Sequence, residues 1–264
     1  MQIKRLEKNN TNLLFKYLKN NFKSDHIFYK SNKLFDWQYL SKNDYNFYTL
    51  QIKNNIKAVQ GYIPTSRYDK KLISPTNFSN WKSNLIINNF KEIFIENEIM
   101  KIDHNIFKFQ YPKKTNKYIL NRYFKHPFYE YNIYKIESNK KTIAIFVTRI
   151  CKFNKKTAIR IVDFFGKIQN FHHGKYLFRH LLKKNNSEFI DIYSYGIPKL
   201  NLAKSGLDNV EKYKKNKIII PNYFEPFLKE NVKLPYAFKA SKKIEKKVRF
   251  FKGDSDLDRP NILK

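Results

Sequence analysis

The sequence has little of several residues on which whole classes of protein depend. It holds one cysteine, six glycines, two tryptophans and two methionines in 264 residues. Cys151 has no second cysteine to pair with, and its apolar neighbours predict a buried strand residue rather than a reactive thiol. No run reaches the roughly 18 uninterrupted apolar residues that a membrane-spanning helix needs, and the polar N-terminus does not resemble a signal peptide. We therefore expect a soluble, cytoplasmic protein without a membrane span.

Acidic residues are scarce as well, with 22 Asp and Glu against 53 Lys and Arg and a formal net charge of +31. Such a charge is typical of proteins that bind nucleic acid or anionic surfaces. Most of these basic residues are lysines spread along the chain, whereas base readout and bidentate phosphate contacts favour arginine. We therefore expect salt-sensitive, sequence-independent binding of polyanions and no specific nucleic-acid partner.

Apolar residues are plentiful, at 42% of the chain with 17% aromatic, which is enough for a folded core. In the first half, apolar spacing predicts a strand at 2–6, helices at 10–22 and 33–40, and a hairpin whose strands lie within 46–63. A further strand is expected at 106–111, before Pro112.

The polar residues and the proline within 113–127 predict a boundary between domains 1–125 and 126–264. The second domain starts with strand-like runs at 128–137, 142–150 and 157–165, whose short polar connections indicate an antiparallel meander. A loop at 166–174, a helix with Leu177 and Leu181 on one face, and a strand at 188–195 follow. A short helix within 200–210 and a strand at 217–220 come after these. The fold class is therefore α/β (α+β), with mixed, mostly antiparallel sheets flanked by helices.

Four blocks of the second half are more specific than the order of elements: Arg160-Ile161-Val162-Asp163, the segment 187–196 (SEFIDIYSYG), the segment 220–227 (IPNYFEPF) and the segment 252–261 (KGDSDLDRPN). In this order they resemble the tandem acetyltransferase-type (GNAT) sugar N-acyltransferases of bacterial surface-polysaccharide pathways. The likeness spans about 126–261, with weaker similarity at 34–39 and 61–64. It implies two tandem GNAT-like domains, of which the first is degenerate.

The resemblance implies transfer of an acyl group from acyl-coenzyme A to the amine of a nucleotide-linked amino sugar. A neutral amine attacks a thioester directly, so the protein has to align two substrates, accept a proton and stabilise an oxyanion. This chemistry requires neither a metal nor a covalent intermediate, and we expect no metal site.

Asp163 is the candidate catalytic residue, as a base or as a group that orients the amine. Strand alternation predicts that it shares a face with Ile159, Ile161 and Phe165, where apolar neighbours raise the pKa of a carboxyl group. A cap on the turn before Gly166 explains the same aspartate without catalysis.

Substrate-binding candidates lie on a strand and on the loop after a later strand. Asp191 and Tyr193 share a strand face and offer groups for sugar hydroxyls or a phosphate-linked ribose, or for a structural hydrogen bond. Asn222, Tyr223 and Glu225 follow the strand at 217–220, where loop residues often line ligand sites, although prolines at 221 and 226 also suit a structural turn.

The phosphates of coenzyme A are expected at the start of the helix that follows the loop 166–174. His173, Gly174 and Lys175 lie there, and the free N–H groups of a helix N-terminus favour anions. The glycine-rich loop that acetyltransferases place at this point is absent as a motif. A non-catalytic GNAT-like binding protein, or a lysine-rich polyanion binder, therefore stands as the alternative.

Overall fold

A computed structural model describes most of the chain as a mixed α/β protein. The described residues are 2–21, 27–41, 44–52, 55–61, 89–209, 238, 241–255 and 258. They fall into two compact units that divide near residue 67. The interval 113–127, where the sequence places a domain boundary, lies inside the second unit.

The first unit is a small antiparallel sheet packed against helices. Strand β3 (Asp44–Ile52) lies at its centre and pairs with β1 (Gln2–Glu7), β2 (Leu40–Ser41) and β4 (Asn55–Gly61). Leu14 and Leu18 of the first helix and Leu34 of the third are buried in its core, as their helical spacing predicts, and Phe35 is buried with them. The elements are β1 (Gln2–Glu7), α1 (Thr11–Asn21), α2 (Ile27–Lys30), α3 (Asn32–Tyr39), β2 (Leu40–Ser41), β3 (Asp44–Ile52) and β4 (Asn55–Gly61).

The second unit contains the longer strands and the helix that the sequence marks most clearly. Its described α-helices and strands are β5 (Asn89–Ile93), α4 (Glu96–Met100), α5 (Asn116–Ile119), β6 (Asn132–Ser138), β7 (Lys141–Phe153), β8 (Lys156–Gly166), α6 (Gly174–Lys184), β9 (Ile190–Ile192), β10 (Ser194–Tyr195), α7 (Lys199–Lys204), α8 (Lys242–Glu245) and β11 (Phe250–Phe251). Three 3-10 helices (His104–Phe109, Ile168–His173 and Lys252–Asp254) and a π-helical turn (Leu120–Phe124) complete it.

The sheet of the second unit has the order β5-β6-β7-β8-β9. Strands β5 to β8 are antiparallel neighbours, so the predicted meander is confirmed, and β9 joins parallel to β8 after the crossover through α6. Strands β8 and β9 are paired only from Ile159 to Ile161. A separate two-stranded sheet joins β10 to β11.

One face of this sheet packs on α6 and forms the main core. Phe178 of α6 lies edge-on to Phe146 of β7, with 5.1 Å between the ring centroids, and Phe146 lies 5.0 Å from Phe164 of β8. Ile159 and Ile161 of β8 belong to the same core cluster. Burial of so many large apolar side chains is the main source of stability for this layer.

A register shift in β8 changes which residues face this core. Val147 of β7 lies opposite Asp163, while the next residue, Thr148, lies opposite Ile161, so Val162 is an extra residue as in a β-bulge. Ile159 and Ile161 therefore point towards α6, whereas Asp163 points to the other face. The sequence-based expectation that these three share a face is wrong, because strict alternation holds only without a bulge.

The segment 106–111 is not a strand. His104–Phe109 forms a 3-10 helix in which the Asp103 carboxylate accepts a hydrogen bond from the Asn105 N–H at 2.9 Å. Ile106 and Phe107 are buried by this turn, which explains their apolar character without strand pairing. The strand expected at 217–220 lies outside the described residues.

Candidate functional site

The sheet face opposite α6 carries a set of charged and hydroxyl side chains that are largely withdrawn from solvent. The cross-strand pairs Arg149–Arg160 and Arg160–Asp191, together with Asp163, place side chains of three neighbouring strands on this face. Residues from 114–123 and 252–258 reach them. We call this set the buried polar layer; its members are Lys114, Arg122, Tyr123, Arg149, Arg160, Asp163, Asp191, Lys252, Asp254 and Asp258.

Asp163 lies at one end of the layer and is fully buried. Its Oδ2 atom accepts hydrogen bonds from Lys114 Nζ at 2.7 Å and from the Tyr123 hydroxyl at 2.6 Å. Its Oδ1 atom accepts the backbone N–H of Phe164 at 2.8 Å. The Lys114 ammonium also lies 2.8 Å from Asp254 Oδ1, so two carboxylates share one buried cation. Both oxygens of Asp163 are therefore engaged within the protein.

The surroundings of Asp163 move its pKa towards neutrality. Burial raises the pKa of Asp163 from 3.8 to about 6, Lys114 opposes that rise, and Asp254 adds to it. Burial alone lowers the pKa of Lys114, but the two carboxylates outweigh it and raise that pKa, so Lys114 remains charged. The sequence predicts a raised pKa for the Asp163 carboxyl group, and this environment agrees with that direction. The neighbours differ from the expected apolar strand face, because Lys114 and Asp254 lie beside the carboxyl group.

Asp191 and Tyr193 meet at Arg160 in the middle of the layer. The Arg160 guanidinium binds the Asp191 carboxylate through two hydrogen bonds, of 2.9 Å from Nε to Oδ1 and 2.7 Å from Nη2 to Oδ2. The same guanidinium lies 5.3 Å from the centre of the Tyr193 ring, and Lys252 Nζ lies 5.6 Å from that centre. Asp191 therefore already holds a protein partner, and the structure brings both predicted residues together around a cation.

Asp258 organises the other end of the layer. Its Oδ2 atom accepts a hydrogen bond of 2.6 Å from the Tyr131 hydroxyl. Arg149 Nη2 lies 3.4 Å from its Oδ1 atom, and Arg122 Nη2 lies 3.9 Å from its Oδ2 atom. Burial alone raises the pKa of Asp258, but Arg149, Arg122 and Lys252 together bring it below its usual value. This end of the layer is therefore rich in positive charge.

Lys252 lies between the two ends and is 2% exposed. Burial lowers the pKa of Lys252 to about 6, and the positive charges of Arg160 and Arg149 lower it further, against the opposing effect of Asp258 and Asp191. An amine with a pKa of about 6 is mostly neutral near physiological pH, and the neutral form is the one that accepts a proton.

Comparisons of the chain with protein-family models, with curated proteins and with solved structures returned no match.

The residues expected to bind coenzyme A lie at the start of α6, on the other side of the sheet from Asp163. The 3-10 helix Ile168–His173 runs directly into α6, and the Gly174 N–H donates to the carbonyl oxygens of Phe171 and His172. A Cβ atom on Gly174 would lie 2.5 Å from Phe178 and 2.8 Å from Phe146. Gly174 is therefore required by core packing, and its amide is already bonded.

The two polar residues beside Gly174 are more accessible to a ligand. Lys175 is partly exposed in the first turn of α6. The rings of His172 and His173 lie 3.7 Å apart, and burial together with His172 lowers the pKa of His173 to about 4. Lys175 therefore supplies the fixed positive charge at this helix start, whereas His173 is neutral at physiological pH.

Asn222, Tyr223 and Glu225 lie outside the described residues.

Reasoning from sequence missed Lys114, Tyr123 and Arg149. Lys114 lies in the polar segment that the sequence predicts as a domain boundary, and its contact with Asp163 spans 49 positions, so no local pattern indicates it. Within the described ranges, no group of histidine, cysteine and acidic side chains is arranged to hold a metal ion. The described helices are all too short or too polar to reach across a membrane.

Proposed function

We propose that this protein is an acyl-coenzyme A-dependent N-acyltransferase that acylates the amine of a nucleotide-linked amino sugar. The observation that carries the proposal is the β6-β7-β8 meander followed by α6 and the parallel strand β9. This is the element order that the resemblance implies for the acyl-coenzyme A-binding half of a GNAT-like domain. A tandem pair of such domains, one in each half of the chain, belongs to the same proposal.

Strands β8 and β9 separate after a short stretch of pairing, and this separation favours a ligand cleft between them. Their pairing ends at Ile161 and Ile192, and β8 continues to Gly166 without β9 beside it. Ligands of α/β sheets commonly bind beyond the carboxyl ends of adjacent parallel strands. Asp163 lies on β8 just beyond the last paired residue.

Asp163 and Tyr123 supply a route for the proton that the attacking amine has to lose. The Tyr123 hydroxyl is neutral, since burial and Asp163 raise its pKa well above the ordinary value. Its oxygen accepts a proton from the amine while its O–H passes one to Asp163 Oδ2, 2.6 Å away. The carboxyl pKa of about 6 suits an acceptor that works near neutral pH. Asp163 then acts through Tyr123 rather than by touching the substrate.

Access to this route depends on the segment 250–254. Gly253 lies against Tyr123, and a Cβ atom there would be 2.2 Å from the tyrosine oxygen and 3.0 Å from Val162 Cγ1. Residues 252–254 therefore cover the hydroxyl, and an amine reaches it when this segment moves aside.

A binding protein without catalysis is the second candidate. The bonded amide of Gly174 and the covered hydroxyl of Tyr123 are the observations that favour it. This candidate predicts that acyl-coenzyme A or the amino sugar binds without any product being formed.

The test is a thermal-shift screen of acyl-coenzyme A against nucleotide-linked amino sugars, followed by mass spectrometry of mixtures containing both. A ligand that binds the native state raises the unfolding temperature by mass action. We expect both substrates to stabilise the protein and an amide product to accumulate. Lys175→Glu should raise KM for acyl-coenzyme A more than for the amino sugar, whereas Lys152→Glu, an exposed change on β7, should not. Absence of saturable acyl-coenzyme A binding would refute the proposal.

A further inference from the structure

Two arginines lie side by side in the buried polar layer. Arg149 of β7 and Arg160 of β8 are direct cross-strand partners, so their side chains leave the same face of the sheet. They are 7% and 1% exposed. Like charges directly opposite each other destabilise a strand pair, and withdrawal from water increases that cost. Negative charge close to the two guanidinium groups is therefore needed to offset their repulsion.

Arg160 already has its negative partner. Two short hydrogen bonds join it to the Asp191 carboxylate, in the bidentate geometry that suits a guanidinium group. One of the two arginines is thus neutralised by the protein.

Arg149 has a more distant acidic partner than Arg160. Its only ion pair in the described part of the chain is the 3.4 Å approach of Nη2 to Asp258 Oδ1. Asp258 also accepts the Tyr131 hydroxyl and lies 3.9 Å from Arg122, so its charge is shared. Within the described residues, the buried Arg149 Nε finds no acceptor. A guanidinium carries five N–H donors, and the Nε–H of Arg149 is one that remains for a further acceptor.

The geometry around Arg149 holds the guanidinium in place for a ligand. Its central carbon lies 3.8 Å from the centre of the Tyr129 ring, a stacking contact that fixes the guanidinium near the ring face. Tyr129 is itself stacked on His126, with 5.4 Å between centroids and 14° between planes. Because both rings are partly exposed, this end of the layer lies close to solvent.

We propose that Arg149, with Arg160 beside it, forms a binding site for a phosphoryl group carried by a phosphate ester or a diphosphate. A phosphoryl group offers several acceptor oxygens and more than one negative charge, which matches the unused Nε–H of Arg149 and the positive charge that Asp258, shared with Arg122, neutralises only in part. The site lies three residues along β8 from Asp163, roughly 10 Å at the usual strand rise. The proposal does not depend on acyl transfer.

The experiment is isothermal titration of the full chain with inorganic pyrophosphate at a constant ionic strength of about 0.15 M, which screens the exposed lysines. We expect saturable binding at one site per chain for the wild type. Arg149→Gln should weaken it at least about tenfold, as expected for the loss of a buried charged contact. Lys152→Gln removes an exposed charge from the same strand and should change the affinity less than about twofold.

Arg149→Lys covers the case in which the glutamine variant does not fold. It keeps the charge but loses the planar fork, so it should fold and bind pyrophosphate several-fold more weakly than the wild type. No saturable binding by the wild type, or equal losses in Arg149→Gln and Lys152→Gln, would overturn the proposal. Equal affinity for succinate would overturn the assignment to a phosphoryl group. No acyl donor is present, so failed acyl transfer leaves these results unaffected.

Discussion

Removal of Lys114 should destabilise the second unit far more than removal of an equally close ion pair at the surface. Lys114 and Asp163 are both 0% exposed and 2.7 Å apart, and Asp254 lies 2.8 Å from the same ammonium. Lys114→Met retains most of the apolar stem and leaves two carboxylates without their cation. Breaking a buried pair in this way costs about 3–5 kcal/mol.

Lys156→Met is the matched control. Lys156 and Glu188 are 2.6 Å apart, but their side chains are 66% and 38% exposed. Such a pair contributes about 0–1 kcal/mol because water and salt screen it. The two variants differ in burial, not in ion-pair distance.

Amide hydrogen exchange in β7 and β8 is the suitable assay, because it reports on the second unit alone. Lys114→Met should accelerate exchange by about 10² to 10³ or more at pH 8, and Lys156→Met by less than about fivefold. The loss of stability caused by Lys114→Met should be smaller at pH 5 than at pH 8. Without Lys114 the pKa of Asp163 rises beyond about 6, so the folded variant takes up a proton that the unfolded chain binds less tightly. Equal acceleration in both variants, or a loss that does not depend on pH, would refute this reasoning.

Three further predictions concern the same region. Because the pKa of Asp163 is raised from 3.8 to about 6, its contribution to stability should fall as pH rises from about 4 to about 6, and this slope should be missing from denaturant unfolding of Asp163→Asn. Gly253→Ala should cost about 1–3 kcal/mol by pressing on the Tyr123 hydroxyl, and Tyr123→Phe in the same chain should recover part of that loss; an additive double-mutant cycle would contradict the contact. Gly174→Val should lower the thermal midpoint of the protein without any ligand, since its Cβ meets Phe178 at 2.5 Å, and an unchanged midpoint would show that the core yields there.

The three strands of the meander could be predicted because their signal is local. Apolar alternation and polar turns mark β6, β7 and β8, and the face carrying Leu177 and Leu181 marks α6. The 3-10 helix at His104–Phe109 could not be told from a strand, because a short apolar run fits both and the Asp103 cap decides between them.

The candidate site was less accessible to prediction because long-range contacts build it. Asp163 could be selected from its apolar strand, but the bulge at Val162 reverses the face on which it lies. Its partner Lys114 comes from a segment that resembles a polar linker, and Asp254 from the C-terminal tail. Asp191 and Tyr193 could be placed on one face by strand alternation. The cation between them, Arg160, lies on the neighbouring strand, so its contact with Asp191 depends on how β8 and β9 pair.

Release of the coenzyme A thiol from acetyl-coenzyme A in the presence of a nucleotide-linked amino sugar is a direct measure of the proposed acyl transfer. We expect amine-dependent release by the wild type. In Asp163→Asn the turnover number should fall by about 10² to 10⁴ with little change in KM, because Asp163 accepts the proton without touching the substrate. Glu188→Gln, an exposed carboxylate on the same unit, should retain wild-type turnover. Amine-dependent release by a folded Asp163→Asn at the wild-type rate would contradict the account, and so would the absence of release by the wild type.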